Sequence, residues 1–153
     1  MKIALLPYKQ NNTSSADDDN REKAEIVVEK LVQYVGEIPL DAKVVTDHYS
    51  TSRIIALYFE AKYHTETTIY PWLNPGARKR TNALQFEHLI NSLMTLNVPM
   101  LILIVSATFI GTYSQQVIDL LEIPTDRNVK GIGAGGILVI DPNSKEKLKV
   151  ISI

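Results

Sequence analysis

An uninterrupted apolar segment, MLILIV at residues 100–105, constrains the fold of this chain more than any other feature. A strand with one face in solvent alternates apolar and polar residues, whereas this segment contains no polar residue. Such a strand is typical of the centre of a parallel sheet that helices cover on both faces. The surrounding apolar run, residues 98–105, contains Pro99 and is far shorter than the roughly 20 residues needed to cross a bilayer. We therefore predict a buried central strand.

Strands and helices are predicted to alternate on both sides of this segment. Alternation of this kind is characteristic of parallel sheets whose crossover helices lie on the two faces. The sequence thus predicts the α/β class, as a three-layer sandwich with a mostly parallel central sheet and ligand chemistry at the carboxyl ends of its strands. We find no repeat or linker and treat residues 1–153 as one domain. The predicted strands are residues 2–6, 42–46, 67–70, 100–105, 136–140 and 147–153, and the helices begin near residues 20, 51, 83 and 110.

Local signals predict where the helices begin and end. Asp19 and Glu22 have the spacing of a capping box, which predicts that the first helix starts there, after a polar loop at residues 9–20. Gly36 follows the last apolar position of this helix and is a natural C′ residue. Thr51 or Ser52 is the expected N-cap of the second helix.

Composition excludes several classes of function. Sixteen Lys and Arg against 17 Asp and Glu give a net charge of −1, so net charge provides no case for a nucleic-acid or membrane partner. The absence of cysteine excludes disulfide scaffolds, cysteine-based zinc sites and iron–sulfur clusters. We expect neither a metal nor a cofactor. Because polar residues begin by Tyr8, the start lacks the pattern of a secretory signal, and we expect a cytoplasmic protein of unspecified oligomeric state.

Three segments that carry the predicted strand ends resemble motifs of a known family. They are MKIALLPYK, VVTDHYSTSRIIALYF and LILIVSATFIGTYSQQVIDLL, and the ending GGILVIDPNSKEKLKVISI is similar to the family's closing hairpin. In order and pattern they resemble the histidine phosphatase superfamily, which has the phosphoglycerate-mutase-like fold, and in particular its small phosphohistidine-phosphatase branch. The likeness spans nearly the whole chain.

The resemblance implies a site built around one phosphoryl group. In the family, the first strand ends in Arg-His-Gly and its His attacks phosphorus, while an Arg of a later helix and the His of a Ser-His pair complete the site. In this chain, Pro7 stands at the position of the first Arg, Tyr8 at the nucleophile and Lys9 at the Gly. Ala107 replaces the second His, and Arg53 alone matches the helix Arg.

These departures predict that catalysis has been lost. A phenol with an ordinary pKa near 10 is a poor nucleophile at neutral pH without a strong base beside it. Loss of a nucleophile together with its partner typically costs on the order of 10⁶ in turnover. We therefore expect a catalytically inactive domain that binds a phosphorylated small molecule or phosphoprotein, or acts as a protein-interaction module. The expected ligand-binding residues are Tyr8, Lys9, Arg53, Ser106, Ala107 and Thr108.

Two alternatives stay open at this point. In one, the chain is an unrelated α/β sandwich in which Arg53 caps a loop or pairs with Glu60 or Asp47 on the surface. In the other, it is an enzyme, namely a phosphohydrolase acting on phosphohistidine or a small phosphomonoester. Such an enzyme would use a non-standard nucleophile such as Tyr8 or His48.

Other motifs carry weaker signals. The glycine-rich segment at residues 131–136 leads into a strand rather than a helix, which favours a turn or bulge over a phosphate cradle. Asp47, His48 and His64 lack metal-ligand spacing and are interpreted as solvated loop residues. The basic run at residues 78–80 is interpreted as a solvated charge cluster, and Trp72 as a residue that packs over the edge of a core.

Overall fold

The computed structural model describes residues 1–9, 16–76, 80–124 and 136–153. Strands and helices alternate within this part of the chain, as the sequence predicts. The strands are β1 (Lys2–Tyr8), β2 (Lys43–Thr46), β3 (Glu66–Ile69), β4 (Met100–Ser106), β5 (Gly136–Ile140) and β6 (Leu148–Ser152). The helices are α1 (Ala16–Val35), α2 (Ser50–Tyr63), α3 (Ala83–Thr95) and α4 (Ile110–Leu120), with a 3-10 turn at Pro71–Leu73.

The described strands form one six-stranded sheet in the order β3-β2-β4-β1-β5-β6. Strands β3, β2, β4 and β1 are mutually parallel, whereas β5 runs antiparallel to both of its neighbours. The apolar strand β4 lies at the centre beside β1, which confirms the prediction made from its composition. The register pairs Tyr8 with Ser106 at the carboxyl ends of these two strands, so the residues that follow them begin from the same edge of the sheet.

Helices cover both faces of this sheet, which confirms the three-layer arrangement. Successive residues of β1 point to opposite faces. Leu6 packs in a core with Val27 of α1 and Phe59 of α2, whereas Leu5 packs on the other face in a core with residues of α3 and α4. Every residue of β4 from Met100 to Val105 is buried, because each one enters one of the two cores.

Several predicted boundaries are wrong by a few residues. Helix α1 begins at Ala16, so the proposed capping box at Asp19 lies inside the helix. Helix α2 begins at Ser50 after Tyr49, with no side-chain cap, so neither Thr51 nor Ser52 is its N-cap. A helix can extend past such signals because tertiary packing adds to local propensity.

Strand β1 continues through Pro7 to Tyr8, two residues beyond its predicted end at residue 6. Pro7 pairs with Val105. Backbone groups of successive residues point to alternate sides of a strand, and the Tyr8 carbonyl faces β4 because it accepts a hydrogen bond from the amide of Ala107. The nitrogen of Pro7 therefore faces the side of β5, where pairing with β1 ends at Leu5. Proline at this position removes no ladder hydrogen bond.

Other local predictions are confirmed. Gly36 adopts a left-handed φ of 84° and its amide bonds to the Val32 carbonyl at 2.8 Å, as expected of a C′ residue. Trp72 is half-buried and packs against the core beneath α3 and α4. Residues 131–135 of the glycine-rich segment and residues 78–79 of the basic run lie outside the described residues. No described helix is long and apolar enough to cross a membrane.

Candidate functional site

Tyr8 lies at the carboxyl end of β1 and is only 4% exposed. Its carbonyl accepts a hydrogen bond from the amide of Ala107 at 2.9 Å, which fixes the start of the segment after β4 directly beside it. The two positions that the sequence resemblance aligns with the nucleophile and the second His of the family are therefore neighbours. This juxtaposition follows from the parallel register of the two central strands.

The Tyr8 hydroxyl is held by two side chains from other parts of the chain. It donates a hydrogen bond to Asp47 Oδ2, immediately after β2, and accepts one from Asn74 Nδ2 at 3.0 Å. Burial raises the pKa of the Tyr8 phenol well above its ordinary value, and the hydrogen bond to Asp47 raises this pKa further. The phenol is therefore protonated and neutral at physiological pH.

Asp47 is fully buried and accepts three hydrogen bonds, counting that from Tyr8. Its Oδ1 atom accepts the Ser52 hydroxyl at 2.5 Å and the Tyr49 amide at 3.0 Å. A buried carboxylate needs partners of this kind, because an unpaired charge in the interior is costly. The interpretation of Asp47 as a solvated loop residue is wrong.

One signal could have identified this aspartate from the sequence. Asp47 directly follows the buried strand β2, and β2 ends at the same edge of the sheet as β1 and β4. A carboxylate at the carboxyl end of a parallel strand is a common position for a functional group in this class of fold. The nearby residues His48 and Ser50 are polar and exposed, so the segment as a whole has the pattern of a solvated loop.

The remaining predicted site residues are more accessible than Tyr8. Lys9, Arg53 and Thr108 are exposed, and Ser106 and Ala107 are half-buried. Among the side chains that the structure describes, none forms an ion pair with Arg53. The alternative pairing with Asp47 is not seen, since the partners of Asp47 are Tyr8, Tyr49 and Ser52. That Arg53 binds a ligand at the same site as Tyr8 and Ala107 stays a prediction.

In the turn between β4 and α4, most backbone amides already donate hydrogen bonds within the protein. The Ser106 hydroxyl accepts the Thr108 amide at 3.3 Å, and the Ser106 carbonyl accepts the Phe109 amide at 2.9 Å. With the Ala107 amide bonded to Tyr8, three successive amides are engaged within the protein. An anion at this helix end would therefore meet the amides of the first turn of α4, which begins at Ile110.

The histidines do not form a metal centre within the described residues. His48 is exposed and its ring lies 4.7 Å from that of Tyr49, and His64 is an exposed left-handed residue at the end of α2. No group of three or more potential metal ligands is found in the described part of the chain. The interpretation of both histidines as solvated loop residues agrees with their exposure.

No protein-family model matches this sequence, and no curated protein matches it either. Solved structures do resemble it over almost its full length. A protein assigned as the phosphohistidine phosphatase SixA of Agrobacterium tumefaciens superposes with a TM-score of 0.62 at 13% identity, covering 99% of this chain and 96% of that one. The mycobacterial glucosyl-3-phosphoglycerate phosphatase gives 0.57 at 12% identity, covering 99% and 96%. Phosphoglycerate mutase of Plasmodium falciparum gives 0.55 at 13% identity, covering 99% and 89%.

These comparisons define the class of the protein by its fold. The chain shares the phosphoglycerate-mutase-like fold of these solved structures, and the resemblance found in the sequence is confirmed at the level of the fold. Within this fold, a buried tyrosine and aspartate meet where the sequence resemblance puts the nucleophile.

Proposed function

We propose that this chain is a catalytically inactive histidine-phosphatase-like domain that binds a phosphorylated ligand. The ligand would contact the carboxyl edge of the sheet at the predicted site residues, with the exposed Lys9 and Arg53 supplying positive charge. The protein would work in the cytoplasm, as the sequence predicts. The proposal rests chiefly on one observation, the hydrogen bond from the Tyr8 hydroxyl to the buried Asp47 carboxylate.

This hydrogen bond opposes attack by Tyr8 on phosphorus. A nucleophilic oxygen must give up its proton and direct a lone pair at the reacting atom, whereas this hydroxyl is turned to Asp47 and Asn74. A carboxylate is a weak base toward phenol, since their ordinary pKa values differ by about six units, or about 8 kcal/mol. Burial adds to this barrier, because it raises the pKa of Tyr8.

The same pair opposes a phosphoryl group at the hydroxyl itself. Asp47 is an anion with no exposed surface, and a second anion placed beside it would be repelled strongly in so dry a setting. We therefore place the phosphate of a ligand at the outer rim of the site. There the exposed cations Lys9 and Arg53 are accessible and solvent screens the charge of Asp47.

One feature favours the phosphohydrolase as a second candidate. A hydroxyl hydrogen-bonded to a carboxylate is also the arrangement of a nucleophile with its base. In that case Tyr8 would form a phosphotyrosine intermediate that water then hydrolyses. His48, which is exposed and next to Asp47, is the other candidate nucleophile.

A turnover assay separates these two functions. We expect the purified protein to hydrolyse neither an aryl phosphate nor phosphohistidine. Hydrolysis that persists through repeated chromatography and disappears in Tyr8→Phe would contradict inactivity and make Tyr8 the nucleophile. If hydrolysis is lost only in His48→Ala, the nucleophile is His48 in the loop after β2. The matched control for Tyr8→Phe is Tyr63→Phe, because the described structure gives the Tyr63 hydroxyl no hydrogen-bond partner.

Binding is tested separately from turnover. A thermal-shift screen of phosphorylated metabolites should find at least one that raises the melting temperature of the wild-type protein. Arg53→Gln should reduce that shift, whereas Arg21→Gln, which also removes an exposed helical arginine, should not. If the ligand raises the melting temperature equally in both variants, Arg53 does not contribute to the binding site.

A further inference from the structure

A cavity of about 270 Å³ lies next to Tyr8, on the side of the sheet that α1 and α2 cover. Its walls are mainly apolar side chains from β1, α1 and α2, and Tyr8, Thr51, Ile153 and two lysines also line it. Because β1 ends here, the cavity borders the carboxyl edge of the sheet, where ligands bind in open α/β folds. The main lining residues are Pro7, Ala24, Val27, Ile55, Lys9 and Lys23.

Among the described side chains that line this cavity, the charged ones are both lysines. Lys9 and Lys23 are both exposed, and neither forms an ion pair with any side chain that the structure describes. No Asp or Glu is among the described residues that line it. The buried Asp47 carboxylate is bonded to the Tyr8 hydroxyl.

We propose that this cavity binds a small amphipathic organic anion. The apolar body of the ligand would contact Val27 and Ile55, and its carboxylate or phosphate head would meet the ammonium groups of Lys9 and Lys23. This inference deepens the proposed function, and rests on it, because it gives the binding domain a ligand class. It differs from the predicted phosphate site in needing neither Arg53 nor the segment after β4.

The size and lining of the cavity limit the ligand. Its volume lies just below the range of about 300–1,000 Å³ that drug-sized ligands occupy, so it accommodates a compact molecule such as one with a single aromatic ring. The apolar walls favour an apolar body, because its burial removes hydrocarbon surface from water. The two lysines favour a negative head group, and as flexible point charges they accept either a carboxylate or a phosphate. Inorganic phosphate has no apolar body and should bind this cavity weakly.

Four probes test these features in the intact protein. We would titrate phenyl phosphate, phenylacetate, inorganic phosphate and benzyl alcohol while following backbone amides by NMR. Phenyl phosphate and phenylacetate should each bind at least about tenfold more tightly than inorganic phosphate and benzyl alcohol, because only they combine charge with an apolar body. Their largest amide shifts should fall at residues 23–27, 51–55 and 8–9.

Charge variants test the two lysines. The double variant Lys9→Gln/Lys23→Gln should weaken both organic anions about fivefold or more and leave benzyl alcohol unchanged. The matched control Lys30→Gln/Lys145→Gln removes the same charge from exposed lysines that do not line the cavity, so it should leave all affinities unchanged. All four substitutions are at exposed positions and should preserve the fold.

The outcomes separate this inference from the proposed function. If the organic anions shift only amides at residues 106–110, or if both double variants weaken them equally, the cavity site is wrong while a phosphate-binding domain remains possible. If none of the four probes shifts the cavity amides at tens of millimolar, the cavity site is also wrong. If instead the organic anions bind the cavity and the protein hydrolyses phosphohistidine, the cavity site stands and the inactive function fails.

Discussion

The change Tyr8→Phe tests the central contact of the candidate site. It keeps the buried ring and removes only the hydroxyl that donates to Asp47 and accepts from Asn74. Asp47 is fully buried, so water cannot readily replace the lost donor, although Ser52 and Tyr49 still supply two. Hydrogen bonds to charged groups contribute about 1.5–3 kcal/mol each, so we expect the variant to lose about 2 kcal/mol of unfolding free energy.

Urea unfolding followed by circular dichroism measures this loss, with two tyrosine variants for comparison. In Tyr113→Phe, a buried hydroxyl loses a bond of 2.7 Å to the neutral carbonyl of Leu73, and the expected cost is about 1 kcal/mol. In Tyr63→Phe, no described hydrogen bond is lost and the cost should be near zero. We therefore expect Tyr63→Phe to be the most stable of the three variants, Tyr113→Phe to be intermediate and Tyr8→Phe to be the least stable. A 2 kcal/mol loss corresponds to a melting-temperature decrease of about 4–8 °C for a domain of this size.

The order of the three variants decides the outcome. If Tyr8→Phe is as stable as Tyr63→Phe, the Tyr8 hydroxyl does not donate to a buried carboxylate, and that hydrogen bond no longer opposes catalysis by Tyr8. If Tyr8→Phe is more stable than the wild type, the pair is kept at a cost in stability, as expected of groups retained for function.

Three further predictions follow from the same structure. Burial raises the pKa of both Tyr8 and Tyr113 above the ordinary value of 10.0, so above about pH 10 the unfolded chain releases these protons first and stability should fall as pH rises. Urea titrations across this range should show a shallower fall in Tyr8→Phe, and parallel curves would contradict the raised pKa. The change Gly36→Ala should cost about 1 kcal/mol, because φ is 84° there, and an unchanged urea midpoint would argue against the left-handed conformation. Inorganic phosphate at tens of millimolar should cause only small changes in the NMR chemical shifts of the amides of residues 106–110. If these chemical shifts do not change at all, this end of α4 binds no anion.

Local sequence patterns determined the class of fold and the ends of several elements. The run of apolar residues from Met100 to Val105 requires cover on both faces, and only a central strand between two helical layers provides it. Gly36 marks the end of α1 because a left-handed residue is easiest for glycine, whatever lies around it. These features depend on periodicity and backbone preference, which neighbouring residues alone specify. The family resemblance rests on the same kind of pattern.

Only the tertiary structure decided the environment of the site. The environment of Asp47 depends on Tyr8, which is 39 residues away in the sequence. The two residues meet because β1 and β2 both run parallel to β4 and end at the same edge of the sheet. Asn74 joins the same hydroxyl from a segment 66 residues beyond Tyr8. A polar stretch such as Thr-Asp-His-Tyr-Ser has the composition of a solvated loop, and nothing within it shows that Thr46 and Asp47 are buried. Burial and hydrogen bonding of a side chain are set by partners that the fold brings together, so the protonated, inward-facing state of Tyr8 could not be derived from the sequence.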